Sequence, residues 1–204
     1  MPRWLKLQKG RVCNMNYHNI TKDDMLNGEG LRVVLWVSGC SHHCKNCHNP
    51  VTWDPEGGLT FDEEAKAELF RELEKPYISG ITLSGGDPLF CGNRMAIGEL
   101  AREIKSEFPG KTIWLYTGYT WDAIKDLLFL PYIDVLVDGK FVESLKNNKL
   151  HWRGSSNQRI IDVKASLEED QVVLYEDDLS DRDVNIKSFS INTEASSRYL
   201  YLKQ

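Results

Sequence analysis

Residues 31–47 read LRVVLWVSGCSHHCKNC, and the way this stretch changes character halfway along decides the fold. Leu31 to Val37 is a β-branched and aromatic run, which predicts a buried strand. Ser38-Gly39 stops it with a turn, and Cys40, Cys44 and Cys47 follow at once. The same order, an apolar run and then an unusual loop, recurs downstream. Phe61, Ala65, Leu69, Phe70 and Leu73 recur at helical spacing up to Pro76, behind a capping-box signature of Thr60 and Glu63. Residues 78–83 (ISGITL) predict a second strand, stopped by Ser84-Gly85-Gly86-Asp87-Pro88, and Asn93 opens a second helix reaching Phe108-Pro109. Residues 112–116 (TIWLY) end at Thr117-Gly118, Thr120 caps a predicted helix to about Leu130, and residues 132–137 (YIDVLV) end at Asp138-Gly139.

Strands alternating with helices at this spacing predict βαβ units, a largely parallel sheet and the α/β class. Each unusual segment sits just after a strand, so a parallel sheet gathers all four along its carboxyl edge, where ligands bind. After about Arg159 the chain turns acidic and rich in hydroxyl groups, broken by short alternating runs near QVVLY, IKSFSI and YLYL. No helical period is evident there. The expectation is a small antiparallel appendage or a disordered, solvated tail. No internal repeat is present.

With 204 residues and 41% hydrophobic content the chain can bury one real core. Its net charge of -5 argues against a nucleic-acid or anionic-membrane binder, which needs a basic face. No apolar run long enough for a membrane span and no secretory leader pattern are evident, so the expected compartment is the cytoplasm. Five cysteines in a reducing compartment are not expected to form disulfides, and Cys13 and Cys91 are read as simple thiols.

The C-x-x-x-C-x-x-C spacing lets one short loop curl three thiolates around a single inorganic centre. Structural zinc wants four ligands, usually as two separated pairs, and no second cysteine pair exists here. A Cys3His zinc knot drawing on His42, His43 or His48 stays open as an alternative. Three cysteines without a fourth suit a four-iron cluster with one iron left free for substrate.

C-x-x-x-C-x-x-C after a first strand resembles the radical S-adenosylmethionine family, whose fold is a partial (βα) barrel of mostly parallel strands. From Met15 to Arg159 the chain resembles the branch of that family that activates anaerobic ribonucleoside-triphosphate reductases. The carrying segments are MNYHNI, LNGEGLRVVLWVSGCSHHCKNCHN, TLSGGDPL, IWLYTGY, VLVDGKF and WRGSSNQR, in that order. The resemblance implies one [4Fe–4S] cluster on Cys40, Cys44 and Cys47 and S-adenosylmethionine on the free iron. It further implies one-electron cleavage to a 5′-deoxyadenosyl radical that takes hydrogen from a glycine of the reductase. The reductase is then both partner and substrate, and a one-electron donor such as flavodoxin is needed. A formate-lyase type activase and a zinc-binding interaction module are the competing functions.

The resemblance makes Gly85, Gly86 and Asp87 the methionine-binding motif and places Asn46, Cys47 and His48 at the adenine. Relatives usually carry an aromatic, commonly Tyr, where this chain has His48. Thr117 and Asp138 are candidate contacts to ribose, methionine carboxylate or the incoming glycine loop, with a plain strand-end turn as the alternative for each. Trp152, Arg153 and the segment to Arg159 read as a docking surface, or as a core-filling indole with a solvated arginine. His42, His43 and Lys45 are read as loop residues without a catalytic part. The implied domain is 15–159, with an N-terminal extension of 1–14 and an acidic C-terminal extension of 160–204.

Overall fold

The structure, a computed structural model, describes residues 15–176. The head, most of the acidic tail, and the runs IKSFSI and YLYL lie outside the described residues. Eight strands form one sheet: β1 (Asn16–Asp24), β2 (Arg32–Val37), β3 (Leu59–Thr60), β4 (Gly80–Gly85), β5 (Thr112–Tyr116), β6 (Val135–Asp138), β7 (Arg159–Asp162) and β8 (Val173–Leu174). Helices α1 (Glu63–Leu73), α2 (Arg94–Glu107), α3 (Trp121–Ile124) and α4 (Val163–Glu168) connect them. The strand order is β3-β1-β2-β4-β5-β6-β7-β8. β2, β4, β5 and β6 pair in parallel, and the marginal pairings are antiparallel. Only β1 and β7 therefore run against the direction of the other described strands. β3 and β8 stand at opposite edges without pairing, so the sheet is open.

Parallel central strands are covered on both faces, and alternation sorts their side chains between two cores. Val33, Leu35 and Val37 of β2, Ile81 and Leu83 of β4, and Ile113 and Leu115 of β5 pack against Leu69 and Leu73 of α1 and Ile97 and Ile104 of α2. Trp114, Val135 and Val137 point to the other face and gather Tyr116, Trp152, Ile160 and Tyr175. Arg32 is fully buried and spends all five of its N–H donors on neutral oxygens. Its Nε donates to Thr82 Oγ1 (2.8 Å), and its two terminal nitrogens reach the carbonyls of Glu29, Ile81 and Thr112 and the Thr112 hydroxyl. The guanidinium lies 5.4 Å from the Trp114 ring centre. Burial pushes its pKa down to about 10.

Most element types match the expectations, and the differences have local causes. The cap of α1 is Asp62, not Thr60: its carboxylate takes the N–H groups of Glu64 and Ala65, while Thr60 belongs to β3. β4 is registered two residues later than expected, Gly80–Gly85, because Arg32 to Val37 pair one for one with Gly80 to Gly85. The helix expected from Thr120 to Leu130 stops at Ile124. Thr120 makes no side-chain cap; Leu127 and Leu130 then close i to i−3 turns ahead of Pro131. Past Arg159 the chain is not a mere tail. β7 continues the sheet beside β6, α4 forms behind the Asp162 cap, and the QVVLY run supplies β8. The expected boundary at 159 thus falls on the first residue of a strand.

Candidate functional site

The loops after β2 and β4 are stitched together through their backbones. Gly86 N–H donates to Val37 O and Asp87 N–H to Gly39 O, both at 2.8 Å. Gly39 and Cys40 donate in turn to the carbonyls of Thr52 and Trp53. A Cβ on Gly85, whose φ is +107°, would meet Val37 N at 2.6 Å, and one on Gly86 would meet Gly39 O at 2.6 Å. The glycine pair is therefore first a requirement of two chains meeting closely, whatever ligand later lies on it. Asn93, just ahead of α2, leaves the helix end uncapped by its side chain; its Nδ2 donates to Ser38 O and Asp87 O across both loops.

Beyond Cys40 the loop curls through left-handed residues at His43 (φ +46°) and Asn46 (φ +54°), bringing Cys40, Cys44 and Cys47 to one cavity wall. The cavity has a volume of about 420 Å³. All three sulfurs are half-buried. The N–H groups of His42 and Asn49 approach the sulfurs of Cys40 (3.5 Å) and Cys47 (3.4 Å). Burial pushes the Cys40 and Cys44 thiols up, so holding them as thiolates calls for a neighbouring positive charge such as a metal centre supplies. Among the described residues no three Cys, His, Asp or Glu side chains converge on the point a single ion would occupy. Three partly buried cysteines lining one cavity, two with sulfurs reached by N–H donors, are a donor set that fits an iron–sulfur cluster.

Asp87 organises the opposite side of the glycine turn. Its carboxylate is 1% exposed and accepts from Leu89 N–H (2.8 Å), Thr117 Oγ1 (2.9 Å) and Gly118 N–H (3.0 Å). His42 Nε2 lies 2.7 Å from its Oδ2, and the His42 ring packs edge-on against Tyr119. His42, read from sequence as a bare loop residue, thus ties the cysteine loop to the turns after β4 and β5. Its partner lies 45 residues away, which no local pattern signals.

Gly85, Gly86, Asp87, Thr117, Cys47 and His48 all line the cavity. Asn46 and Asp138 are not among its lining residues. Asn46 Nδ2 donates to Glu143, which also pairs with Lys45 at 3.0 Å; these two partners hold the Glu143 carboxyl below the usual carboxylate range. Asp138 is buried and takes the Trp121 N–H (2.8 Å), so it supplies the α3 cap that Thr120 does not. It also receives Arg159 Nε at 3.0 Å. Trp152 packs edge-on against Trp114 with ring centres 4.9 Å apart and, only partly buried, also lines the cavity. Sequence reasoning missed Tyr116, Phe141 and Gln158 as lining residues. Phe141 sits beside His48, ring centres 5.7 Å apart, so a second ring stands next to the imidazole. The contacts of Lys45, Asn46 and His48 with Glu143 and Phe141 join the loop after β2 to the loop after β6, over β4 and β5.

One mixed sheet with a cysteine loop on its carboxyl edge is thus the frame of the chain, and its similarity to a known iron–sulfur domain gives the class. A family model described as "4Fe-4S single cluster domain" matches residues 26–161. Proteins named anaerobic ribonucleoside-triphosphate reductase-activating protein align closely: that of enterobacteria phage T4 is 49% identical over 146 residues, covering 72% of this chain and 93% of its own. The Vibrio cholerae protein is 45% identical, covering 72% and 97%, and the Escherichia coli protein 45%, covering 71% and 96%. The chain belongs to the family of anaerobic ribonucleoside-triphosphate reductase-activating proteins.

Proposed function

We propose that this protein activates an anaerobic ribonucleoside-triphosphate reductase by radical S-adenosylmethionine chemistry. The observation that carries the reading is that Cys40, Cys44 and Cys47 share one cavity with the Gly85-Gly86-Asp87 turn. The family of the chain and its iron–sulfur domain support the same conclusion.

In this reading Cys40, Cys44 and Cys47 would hold a [4Fe–4S] cluster whose unligated iron would be open to S-adenosylmethionine. The Gly85-Gly86 backbone receives the methionine end, and Asp87 positions the turn through Thr117 and Gly118. His48 and Phe141 offer stacking surface to the adenine. Asn46, held by Glu143, contributes by fixing the cysteine loop, and Asp138 by fixing α3. When cluster and cofactor are bound, one electron splits the sulfonium into methionine and a 5′-deoxyadenosyl radical, which removes hydrogen from a glycine Cα of the reductase. Products are methionine, 5′-deoxyadenosine and a glycyl radical on the partner. The reading includes the partial-barrel fold of that family; the contacts that bridge the loops after β2 and β6 support it. A flavodoxin-type protein would serve as electron donor, and a reducing cytoplasm would be its setting. Among the described residues no helix is long and apolar enough to cross a membrane.

Anaerobic protein given reductant, S-adenosylmethionine and the reductase should release methionine and 5′-deoxyadenosine in equal amounts, measured chromatographically. Iron-loaded protein that leaves S-adenosylmethionine intact would contradict the proposal.

A further inference from the structure

Two polar groups on the cavity wall have no hydrogen-bond partner: Tyr116 Oη and Arg153 Nε. Both atoms are buried, and a buried polar atom left unpaired is a standing cost that native structures avoid unless a ligand or water answers it. Neither group is free to turn away. Tyr116 ends β5 with its ring in the Trp114, Val135 and Val137 cluster. Arg153 donates from Nη1 to Gln158 O at 3.0 Å, and Gln158 is itself held by Gly154 N–H, Ser155 N–H and Gly139 O.

Arg153 can only donate, and a phenol hydroxyl donates well, so the pair calls for oxygen acceptors. No side chain or backbone oxygen of the lining accepts from either atom, and Asp87, the one carboxylate there, is already held by Thr117, Gly118 and His42. Acceptors carried by a ligand would answer both groups. The cysteines and the glycine turn belong to the carboxyl ends of β2 and β4, whereas Tyr116 stands on β5 and Arg153 on the segment leading into β7, and the apolar Leu150, Trp152 and Phe141 share the lining with them. An apolar wall with fixed, separated donors matches a polypeptide backbone, whose carbonyls are neutral acceptors at regular spacing and whose glycine brings no side chain to clash.

We propose that Tyr116 and Arg153 receive backbone carbonyl oxygens of the glycine-bearing segment of the protein substrate. This rests on the activase reading above. The test uses cluster-loaded full-length protein, Tyr116→Phe and Arg153→Gln, with Arg153→Lys to retain charge. Radical formation is followed against reductase concentration, S-adenosylmethionine affinity by equilibrium dialysis, and stability by thermal unfolding. Each variant, Arg153→Lys included, should raise the half-saturating reductase concentration by about tenfold, the value of one well-placed hydrogen bond. Cofactor affinity should stay within about twofold. Tyr116→Phe should not lower the melting temperature, since the hydroxyl it removes has no partner within the chain. An unchanged half-saturating concentration, a matching loss of cofactor affinity, or a lower melting temperature for Tyr116→Phe would overturn the assignment. Wild-type protein that never forms the radical would overturn the activase reading itself; radical formation by wild type with unaltered variants would overturn this assignment alone.

Discussion

Replacing Cys44 by alanine should leave a folded protein that holds almost no iron and cleaves no S-adenosylmethionine. Cys44 is half-buried, stands in a loop whose ends are fixed by Cys40 N–H on Trp53 O and Cys47 N–H on Cys44 O, and makes no contribution to either packed core. Losing its sulfur therefore costs the fold little. For the cluster the loss is severe, because a cubane already held by only three thiolates would keep two. Anaerobic reconstitution followed by iron and sulfide assay and visible absorption measures this directly. Wild type should be brown with iron and sulfide in near-equal amounts, and Cys44→Ala colourless. Iron retained at wild-type level would refute the ligand assignment, and abundant zinc without iron in the wild type would refute the cluster.

Asp87→Ala should be the most damaging substitution away from the cysteines, and for a different reason. The carboxylate is 1% exposed and answers donors from Leu89, Thr117, Gly118 and His42, so its removal strands four polar groups in the interior. Breaking such a buried, charge-assisted network costs about 3–5 kcal/mol. That is a large fraction of the 5–15 kcal/mol by which a domain is stable, and corresponds to a fall in melting temperature of roughly 6–20 °C. The same change frees the cysteine loop from the turns after β4 and β5, so cofactor binding should weaken as well. Asp87→Asn keeps the shape and one acceptor oxygen and should lose about half as much. Thermal unfolding followed by circular dichroism decides it; an Asp87→Ala protein melting within about a degree of wild type would mean the network is not a support.

The contrast between these two positions shows what the sequence carried openly. The cysteines announce themselves through spacing within one loop, and the alternation of β-branched runs with helical periods was enough for the class and for strands β2, β5 and β6 near their observed places. The glycine turn was visible too, although its physical cause was not. Gly85 and Gly86 look like ligand-binding glycines, yet a Cβ at either would first strike backbone of the neighbouring loop. What stayed hidden is long-range. His42 gains its role from Asp87, and Asp138 caps a helix that Thr120 was expected to cap. The tail stayed open between a small antiparallel appendage and disorder because Val163–Glu168 is too short to show a period, and because β7 leans on β6, and β8 on β7, more than on their own pattern. Arg32 inside an apolar strand offered a clue, since a lone charge in such a run forecasts a buried network.

The activase reading turns on whether a glycine of the partner becomes a radical. Reduced, cluster-loaded protein should be mixed anaerobically with S-adenosylmethionine and an anaerobic ribonucleoside-triphosphate reductase, frozen, and examined by electron paramagnetic resonance. The prediction is a glycine-centred doublet that requires all three components and is absent with Cys44→Ala. A competent reductase that shows no doublet, although the cluster is intact and S-adenosylmethionine is bound, would contradict it.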